Sequence, residues 1–310
     1  MLLTITLNPS IDRRYSVNGF EKGKIFRTDN YQYTPGGKGI NVAKVIKAFD
    51  EPVVATGFLG GRAGGFIKEK LDEMNITSKF VSIKGETRSC IAILSDDGSQ
   101  TEILESGPII LKEDMERFYY LYERLIKDAD VICASGSLPR GLDVGTYKVL
   151  IELANKQGKK FILDTSGEAL EQGIEAKPFL IKPNKEELES LIRKTIYTEN
   201  DVVEGAKSLI NRGINIVAIS LGGEGSLVFT NDYMYRVRTP KISAINPVGS
   251  GDSMIAGFAV SIKRNYDFED MLRLAAACGT ANAMEEETGK VDLSKVNKLM
   301  NEIIIEKIRL

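Results

Sequence analysis

The chain has 310 residues, of which 43% are hydrophobic and 27% are charged, and its formal net charge is −2. These values are typical of a globular protein with one large domain, and the small net charge argues against a nucleic-acid-binding protein, which usually carries a basic excess. Histidine is absent, which excludes Ser-His-Asp and Cys-His nucleophiles and the common His-based metal sites. Acid–base chemistry must therefore fall to other side chains.

The number and spacing of the cysteines and the length of the apolar segments indicate the cellular compartment of the protein. The three cysteines, Cys90, Cys133 and Cys278, provide neither a disulfide framework nor a zinc-binding spacing. No apolar run approaches the roughly 18 residues that span a membrane, and residues 2–7 lack the basic flank and the cleavage site of a signal peptide. We therefore expect a cytoplasmic protein with no membrane and no nucleic-acid partner.

The first part of the chain combines buried strands and amphipathic helices with a polar, hairpin-rich region. Short strands with polar turns between them are typical of antiparallel hairpins. We expect the stretches 11–34 and 80–106 to form a separate small β-sheet that covers one end of the main domain as a lid. The elements predicted here are strand 2–7, helix 40–49, strand 53–58, helix 66–74 and the hairpin strands 80–83, 88–94 and 100–105.

From residue 111 onward, helices alternate with short β-branched strands, as they do around a central parallel sheet. The pattern predicts an α/β fold with a three-layer, doubly wound and mainly parallel sheet, and residues 1–310 form a single domain. The predicted strands are 131–134, 161–163, 179–181, 216–220 and 234–237. The predicted helices are 112–127, 144–157, 185–192, 201–211, 254–262, 267–287 and 293–305.

Small and polar residues follow five of the predicted strands. Ligands bind at the carboxyl ends of strands in open α/β sheets, so this edge is the expected site. Each segment taken singly is also compatible with an ordinary turn. The five segments are 8–12, 135–141, 164–166, 182–184 and 221–225.

Residues 249–252, Gly-Ser-Gly-Asp, open a predicted helix. Two glycines and a helix amino terminus can present N–H groups to an anion. Asp252 has two interpretations, which are an ordinary N-cap and a base beside a transferring phosphoryl group. On this segment alone the N-cap is favoured.

Two further segments also leave alternatives open. Residues 36–39, Gly-Gly-Lys-Gly, could bind an anion or let the backbone approach a sugar, and a tight turn with a solvated lysine is equally compatible. Asn184 and Glu187 offer oxygen ligands suited to Mg²⁺, although an N-cap asparagine with a first-turn glutamate is the favoured interpretation of the pair taken alone. Neither a P-loop nor a complete G-x-G-x-x-G motif is present, so P-loop NTPases and dinucleotide oxidoreductases are not supported.

Together these segments resemble the PfkB (ribokinase-like) carbohydrate kinase family. Residues 36–43 (GGKGINVA) with 57–60 resemble its first signature, and residues 246–252 (NPVGSGD) resemble its second. Between them, Lys182-Pro183-Asn184-x-x-Glu187 resembles its N-x-x-E motif. Residues 85–94, 100–105 and 135–139 are similar to the tagatose-6-phosphate kinase and 1-phosphofructokinase branch.

The resemblance implies ATP-dependent phosphorylation of a ketohexose phosphate, with Asp252 as the base and with the N–H groups of Gly249, Ser250 and Gly251 around the transferring phosphoryl group. Taken singly, each arginine is typical of a surface residue, and Cys90 of packing. The implied substrate-binding residues are Asp12, Arg27, Gly37, Lys38, Asn41, Arg88, Cys90, Ser137 and Arg140. The implied nucleotide-binding residues are Lys182, Asn184, Ser220, Gly222, Gly223, Gly225 and Asn282.

The implied cofactors are ATP and Mg²⁺, the latter positioned through Asn184 and Glu187 by way of water. Asn246-Pro247 replaces the family's Asp-Thr pair, whose aspartate is tied to monovalent-cation activation, so a K⁺ requirement stays open. The lid sheet has exposed edges, which suggests a homodimer formed through it.

The expected reaction converts tagatose 6-phosphate to the 1,6-bisphosphate. The alternatives are fructose 1-phosphate, fructose 6-phosphate or an unphosphorylated sugar as substrate, and a non-catalytic sugar- or nucleotide-binding regulator.

Overall fold

The computed structural model describes residues 1–310. Its first part carries the strands of both sheets and two helices. In chain order these are β1 (Leu2–Thr6), β2 (Ser10–Val17), β3 (Tyr31–Gly36), α1 (Lys38–Ala48), β4 (Val53–Gly60), α2 (Gly61–Glu73), β5 (Thr77–Ile83), β6 (Arg88–Ser95) and β7 (Gln100–Leu104).

The remainder alternates helix and strand and then ends in three helices and an edge strand. The first group is α3 (Lys112–Asp128), β8 (Val131–Ser135), α4 (Thr146–Lys156), β9 (Lys160–Asp164), α5 (Gly167–Glu175), β10 (Leu180–Ile181), α6 (Lys185–Ile192) and α7 (Glu199–Asn211). The second is β11 (Ile216–Ser220), a 3₁₀ turn (Gly222–Glu224), β12 (Ser226–Phe229), β13 (Tyr233–Arg238), α8 (Ser250–Lys263), α9 (Phe268–Ala283), α10 (Leu293–Glu302) and β14 (Ile304–Arg309).

The main sheet has ten strands in the order β14-β13-β12-β11-β10-β9-β8-β1-β4-β5. Within this order, all neighbouring strands between β11 and the edge strand β5 pair in parallel. At the other edge, β12, β13 and β14 pair antiparallel and extend the sheet. Helices cover both faces: α1, α2, α8, α9 and α10 enclose one hydrophobic core, and α3 to α7 enclose the other. This confirms the predicted three-layer, doubly wound and mainly parallel α/β fold. None of these helices has both the length and the apolar character needed to cross a membrane.

The lid is a four-stranded sheet in the order β3-β2-β6-β7. It differs from the predicted lid in one respect. Residues 80–83 lie in β5, which pairs in parallel with β4 at the edge of the main sheet, so their assignment to a lid hairpin is wrong. The lid joins two antiparallel hairpins, β2–β3 and β6–β7, through the parallel pairing of β2 with β6.

Other differences concern the ends of elements. The helix predicted over 293–305 ends at Glu302, and the β-branched residues that follow form β14, which pairs with β13. Asp267 caps α9 from outside, and α9 ends at Ala283 rather than near residue 287. Helix α8 begins at Ser250, four residues before the apolar run that predicted it, so it includes most of the glycine-rich segment. Strand β12 and helix α5 were not predicted.

Candidate active site

A cleft of about 970 Å³ separates the lid sheet from the carboxyl ends of the main strands. Four parts of the molecule line it. The lid contributes Asp12, Arg14, Cys90 and Glu102, and the start of α1 contributes Gly37, Lys38 and Asn41. The ends of the main strands contribute Asp164 and Lys182. The turn before α8 and the first residues of this helix contribute Asn246, Gly249, Gly251 and Asp252. The two glycine-rich segments of the sequence therefore meet across one cleft.

Asp252 does not cap its helix. The N-cap of α8 is Gly249, at φ 83°, and it makes no side-chain cap hydrogen bond. The Asp252 carboxylate is instead buried, with 5% of the residue exposed, and its Oδ2 accepts a 2.9 Å hydrogen bond from Nδ2 of Asn41. Burial and the nearby Asp164 carboxylate raise the pKa of Asp252 to about 7. A carboxyl group with that pKa can gain and release a proton near neutral pH.

The turn before α8 and the first residues of this helix leave three N–H groups without a backbone acceptor, those of Gly249, Gly251 and Asp252, whereas the Ser250 N–H donates to Pro247 O at 3.2 Å. Ser250 Oγ is buried and has no partner. Gly249 is required here by its positive φ and because a Cβ would lie 2.5 Å from Thr288 Cγ2. Unpaired N–H groups at the start of a 14-residue helix are suited to an anion.

Lys38 and Lys182 bring positive charge to the same place. Each is paired with Asp164, Lys38 Nζ at 3.4 Å and Lys182 Nζ at 3.3 Å. Asp164 raises the pKa of Lys38 above its ordinary value. Burial alone would raise the pKa of Asp164, but Lys182 and Lys38 together hold it below its usual range. The predictions included both lysines and did not single out Asp164, although the polar segment 164–166 after β9 marked its position.

On the lid side of the cleft, Asp12 accepts a 2.7 Å hydrogen bond at Oδ1 from Ser10 Oγ, and burial raises its pKa. A Cβ at Gly36 would lie 2.1 Å from Asp12 Cγ, so the aspartate packs directly on a glycine backbone. Cys90 is half-buried opposite Asp12 in the lid register, and burial raises the pKa of its thiol. A thiol of raised pKa is a packing group rather than a nucleophile.

The three arginines predicted to bind a substrate phosphate have different positions. Arg88 lines the cleft, but its guanidinium already donates to Asn8 O and to Glu105 O. Arg140 does not line the cleft; it donates to Gly107 O at 2.9 Å, beside its bridge to Ile109. Arg27 lies exposed between β2 and β3, away from the cleft lining. Within one chain, the structure therefore does not bring Arg27 and Arg140 into the site.

Ser137 and Asn282 also lie outside the cleft lining. Ser137 is exposed and lies outside the cleft lining, where its Oγ accepts a 3.5 Å hydrogen bond from Asn8 Nδ2. Asn282 is completely buried, with Oδ1 accepting from Ser253 Oγ and Gly289 N and with Nδ2 donating to Val248 O. Asn282 thus supports the turn before α8 from behind.

The predicted nucleotide loop lies outside the cleft lining and is connected to it through Asn184, two residues after Lys182. Ser220 ends β11 and bridges to Asn184, and the 3₁₀ turn that includes Gly222 and Gly223 follows it. A Cβ at Gly222 or Gly223 would have nothing within 4 Å, so the surface of the turn is open. Gly225 is closed, since a Cβ there would lie 2.0 Å from Val237 O. The open turn offers a place for a flat group to lie against backbone.

Asn184 and Glu187 form a capping box at the start of α6: Asn184 Oδ1 accepts from Glu187 N, and Glu187 Oε2 accepts from Asn184 N. The alternative based on capping therefore holds for their geometry. No group of three or more acidic or cysteine side chains is arranged as a metal cage. Glu187 retains its second carboxylate oxygen, which fits a Mg²⁺ ion that keeps its waters and binds mainly to phosphates.

A second set of residues that was not predicted lies at the other wall. Arg14 of β2 donates to Glu286 O at 2.5 Å, and Asn246 Nδ2 donates to the same carbonyl at 3.0 Å. Lys44 of α1 binds Glu287 Oε1 at 2.9 Å and Thr288 O at 2.6 Å. The loop after α9 thus joins the lid, α1 and the turn before α8. These contacts join residues distant in sequence, so local patterns carried no signal for them.

The comparisons with known proteins identify the family of the chain. The family model for pfkB family carbohydrate kinase matches residues 5–295. A tagatose-6-phosphate kinase of Staphylococcus epidermidis is 41% identical over 99% of this chain and 100% of its own length.

Two solved structures have the same fold over nearly the whole chain. A Thermotoga maritima protein described as a possible 1-phosphofructokinase has a TM-score of 0.91 and 28% identity, covering 99% of both chains. Phosphofructokinase-2 of Escherichia coli in complex with potassium has a TM-score of 0.91 and 27% identity, covering 97% of this chain and 98% of that one, and it has also been solved in a tetrameric inhibited form. With a family match that spans both glycine-rich segments and the strands between them, the chain belongs to the pfkB family of carbohydrate kinases.

Proposed function

We propose that this protein transfers the γ-phosphoryl group of ATP to a hydroxyl group of a ketohexose phosphate, and that it converts tagatose 6-phosphate to tagatose 1,6-bisphosphate. The observation that carries the proposal is the Asp252 carboxylate, which is buried beside the unpaired N–H groups of Gly249 and Gly251. A base and an anion site on either side of one point are what direct transfer to a hydroxyl group requires. The 41% identity to a tagatose-6-phosphate kinase supports the choice of sugar.

In this proposal the sugar hydroxyl group gives its proton to Asp252 as its oxygen attacks the γ-phosphorus in line with the departing ADP oxygen. Negative charge on the transferring group is met by the N–H groups of Gly249 and Gly251 and by the ammonium of Lys182. Ser250 contributes through its unpartnered Oγ rather than its N–H, which is already bonded to Pro247 O.

The sugar would lie between the lid and α1. Asp12 and Asn41 are suited to accept hydrogen bonds from its hydroxyl groups, since Asn41 Oδ1 is buried without a partner. Gly37, at φ 102°, lets the backbone approach closely. Lys38 and the unused N–H groups of Arg88 would hold the existing phosphate, and Cys90 would line the wall. A closed lid would exclude water, the competing acceptor.

ATP would extend from the turn before α8 toward Ser220, Gly222 and Gly223. A divalent ion, Mg²⁺ in this proposal, would neutralise part of the charge on its phosphates and would contact Asn184 and Glu187 through water. Asn282 supports the turn and Gly225 shapes the loop, without contact to the nucleotide.

We further propose that the protein is a homodimer formed through the lid. Arg13, Tyr15 and Tyr33 lie on the face of the lid opposite Asp12, where Tyr33 is 42% exposed and Ile103 is 54% exposed. The Tyr15 ring lies 6.2 Å from the Tyr33 ring and 6.4 Å from the Tyr31 ring, measured between centroids. An aromatic and aliphatic surface of this kind is typical of a protein interface.

A second candidate reaction is the phosphorylation of fructose 1-phosphate to fructose 1,6-bisphosphate. The similarity over 99% of the chain to the possible 1-phosphofructokinase of Thermotoga maritima favours it. Both substrates are ketohexose phosphates that would use the same base and the same anion site.

The test is ADP release from ATP and Mg²⁺ with tagatose 6-phosphate, fructose 1-phosphate, fructose 6-phosphate, fructose and tagatose. We expect the highest kcat/KM with tagatose 6-phosphate. A preference for fructose 1-phosphate would select the second candidate. Turnover of unphosphorylated sugars alone would remove the assigned role of Lys38 and Arg88, and no turnover with any acceptor would overturn the proposed function.

A further inference from the structure

We propose that Asp164 is a positioning residue of this kinase, which holds the ammonium group of Lys182 at the point of phosphoryl transfer and that of Lys38 at the phosphate already on the sugar. The inference rests on the proposed function. It adds a residue that neither glycine-rich segment contains and that does not itself touch the transferring group.

The first argument is the division of the Asp164 carboxylate between two partners. Oδ2 lies 3.4 Å from Lys38 Nζ, and Oδ1 lies 3.3 Å from Lys182 Nζ. The two lysines come from separate elements, since Lys38 is the first residue of α1 and Lys182 follows β10. One carboxylate therefore fixes the relative position of two cations that the chain does not otherwise join.

The second argument is electrostatic. Only 3% of the Asp164 side chain and 8% of the Lys182 side chain are exposed, so water cannot take the place of a counterion for this lysine. Without Asp164, the two ammonium groups would repel each other across a poorly solvated space. Lysine has a flexible four-carbon stem, so the more exposed Lys38 would turn toward solvent.

The third argument is that Asp164 sits on a rigid base and aims one lysine at the reacting point. The Gly136 N–H donates to Asp164 O at 3.0 Å, and Thr165 Oγ1 donates to Gly136 O at 2.9 Å, which locks the end of β9 to the segment after β8. A Cβ added at Gly251 would lie 3.1 Å from Lys182 Nζ, so this ammonium lies against the turn that carries the anion site. Lys38, with 45% of its side chain exposed, faces the open cleft.

The test is a double-mutant cycle with Asp164→Asn and Lys182→Met, measured on whole protein with ATP and the best acceptor from the panel. A misplaced charge acts mainly on the transition state, so we expect Asp164→Asn to lower kcat by about 100-fold with a smaller change in KM. Because Asp164 acts through the lysine, the double variant should lose little more than Lys182→Met alone. Losses that multiply, or a kcat within twofold of wild type for Asp164→Asn, would overturn the inference.

Two further variants separate positioning from folding. Asp114 is 7% exposed, pairs with Arg117, accepts a hydrogen bond from the Leu111 N–H at the start of α3 and does not line the cleft, so Asp114→Asn should change stability and leave kcat unchanged. Asp164→Glu keeps the charge and moves it by one methylene group, and we expect a folded protein with a kcat between wild type and Asp164→Asn. A kcat equal to wild type for Asp164→Glu would also count against the inference. If wild type itself has no turnover, the proposed function fails, which is a different result from an active wild type with an active Asp164→Asn.

Discussion

Asn41 Nδ2 donates a 2.9 Å hydrogen bond to Asp252 Oδ2, joining two residues 211 positions apart. Each lies in the first turn of its helix, Asn41 in α1 and Asp252 in α8, and the two helices pack together. The amide fixes the carboxylate and leaves Asp252 Oδ1 for another partner. Asn41 Oδ1 is buried and has no partner.

Replacement of Asp252 by asparagine should remove the base without removing the site. We expect Asp252→Asn to bind ATP and the sugar phosphate, and to lose kcat by about 100- to 10,000-fold, because general base catalysis is worth that much. Steady-state kinetics and calorimetric binding would check both parts. Asp267→Asn is the matched control, since Asp267 caps α9 and asparagine caps equally well. Near-normal turnover in Asp252→Asn would exclude the assigned base.

The raised pKa of Asp252 predicts a pH dependence of activity. Its pKa is about 7, and the base must be deprotonated, so kcat/KM should rise as the pH increases through about 7. A pH profile of kcat/KM between about pH 5.5 and 9, at constant ionic strength, would measure this rise, because the window begins about 1.5 units below that pKa and ends about 2 units above it. A flat profile across this window would contradict the role of Asp252 as the base.

The raised pKa of Asp252 should make stability fall with increasing pH, whereas it makes activity rise. Asp252 binds its proton more tightly in the folded state than in the unfolded state, so its contribution to stability is present below the ordinary pKa and is lost as the pH rises through about 7. Asp252→Asn should therefore have a higher Tm than wild type at alkaline pH, and the difference should disappear in acid. Asp130 is the control, because hydrogen bonds from Lys263 and the N-terminal amine lower its pKa to about 2. Its contribution to stability therefore changes with pH in the opposite direction.

Gly36 and Gly65 form a matched pair of glycines for testing the sugar site. A Cβ at Gly36 would lie 2.1 Å from Asp12 Cγ, so Gly36→Ala must displace the aspartate proposed to bind sugar hydroxyl groups. We expect KM for the sugar phosphate to rise by about 10- to 100-fold, with KM for ATP changed much less. Gly65→Ala, with nothing within 4 Å in α2, should leave both KM values unchanged and raise stability by about 0.4–1 kcal/mol. Equal KM values for wild type and Gly36→Ala would exclude Asp12 from sugar binding.

The fold class and the family could be predicted because both depend on local signals. Alternating β-branched strands and amphipathic helices carry the architecture, and two glycine-rich helix starts carry the family. Asp164 could not be recognised as a site residue, because its importance comes from β9 lying between β8 and β10 and from two lysines that arrive from elsewhere.

Arg27 and Arg140 lie outside the cleft lining for a related reason. Their sequence positions near the lid and a strand end are correct, but the direction of an irregular segment decides whether a side chain reaches the cleft. Strand β14 was missed because the residues after α10 continue a helical pattern, and only pairing with β13 makes them a strand.

The lid interface can be tested by a single charge. Ile103 is 54% exposed and lies in register with Ile91, on the same face as Arg13 and Tyr33. An aspartate there would be buried without a partner in a dimer, so Ile103→Asp should weaken association and leave the monomer folded. Light scattering after size exclusion should give twice the 34.1 kDa chain mass for wild type and that mass for the variant. Tyr120→Asp, at a 67% exposed tyrosine on α3, should stay dimeric. A monomeric wild type, or a dimeric Ile103→Asp variant at low concentration, would exclude this face as the interface.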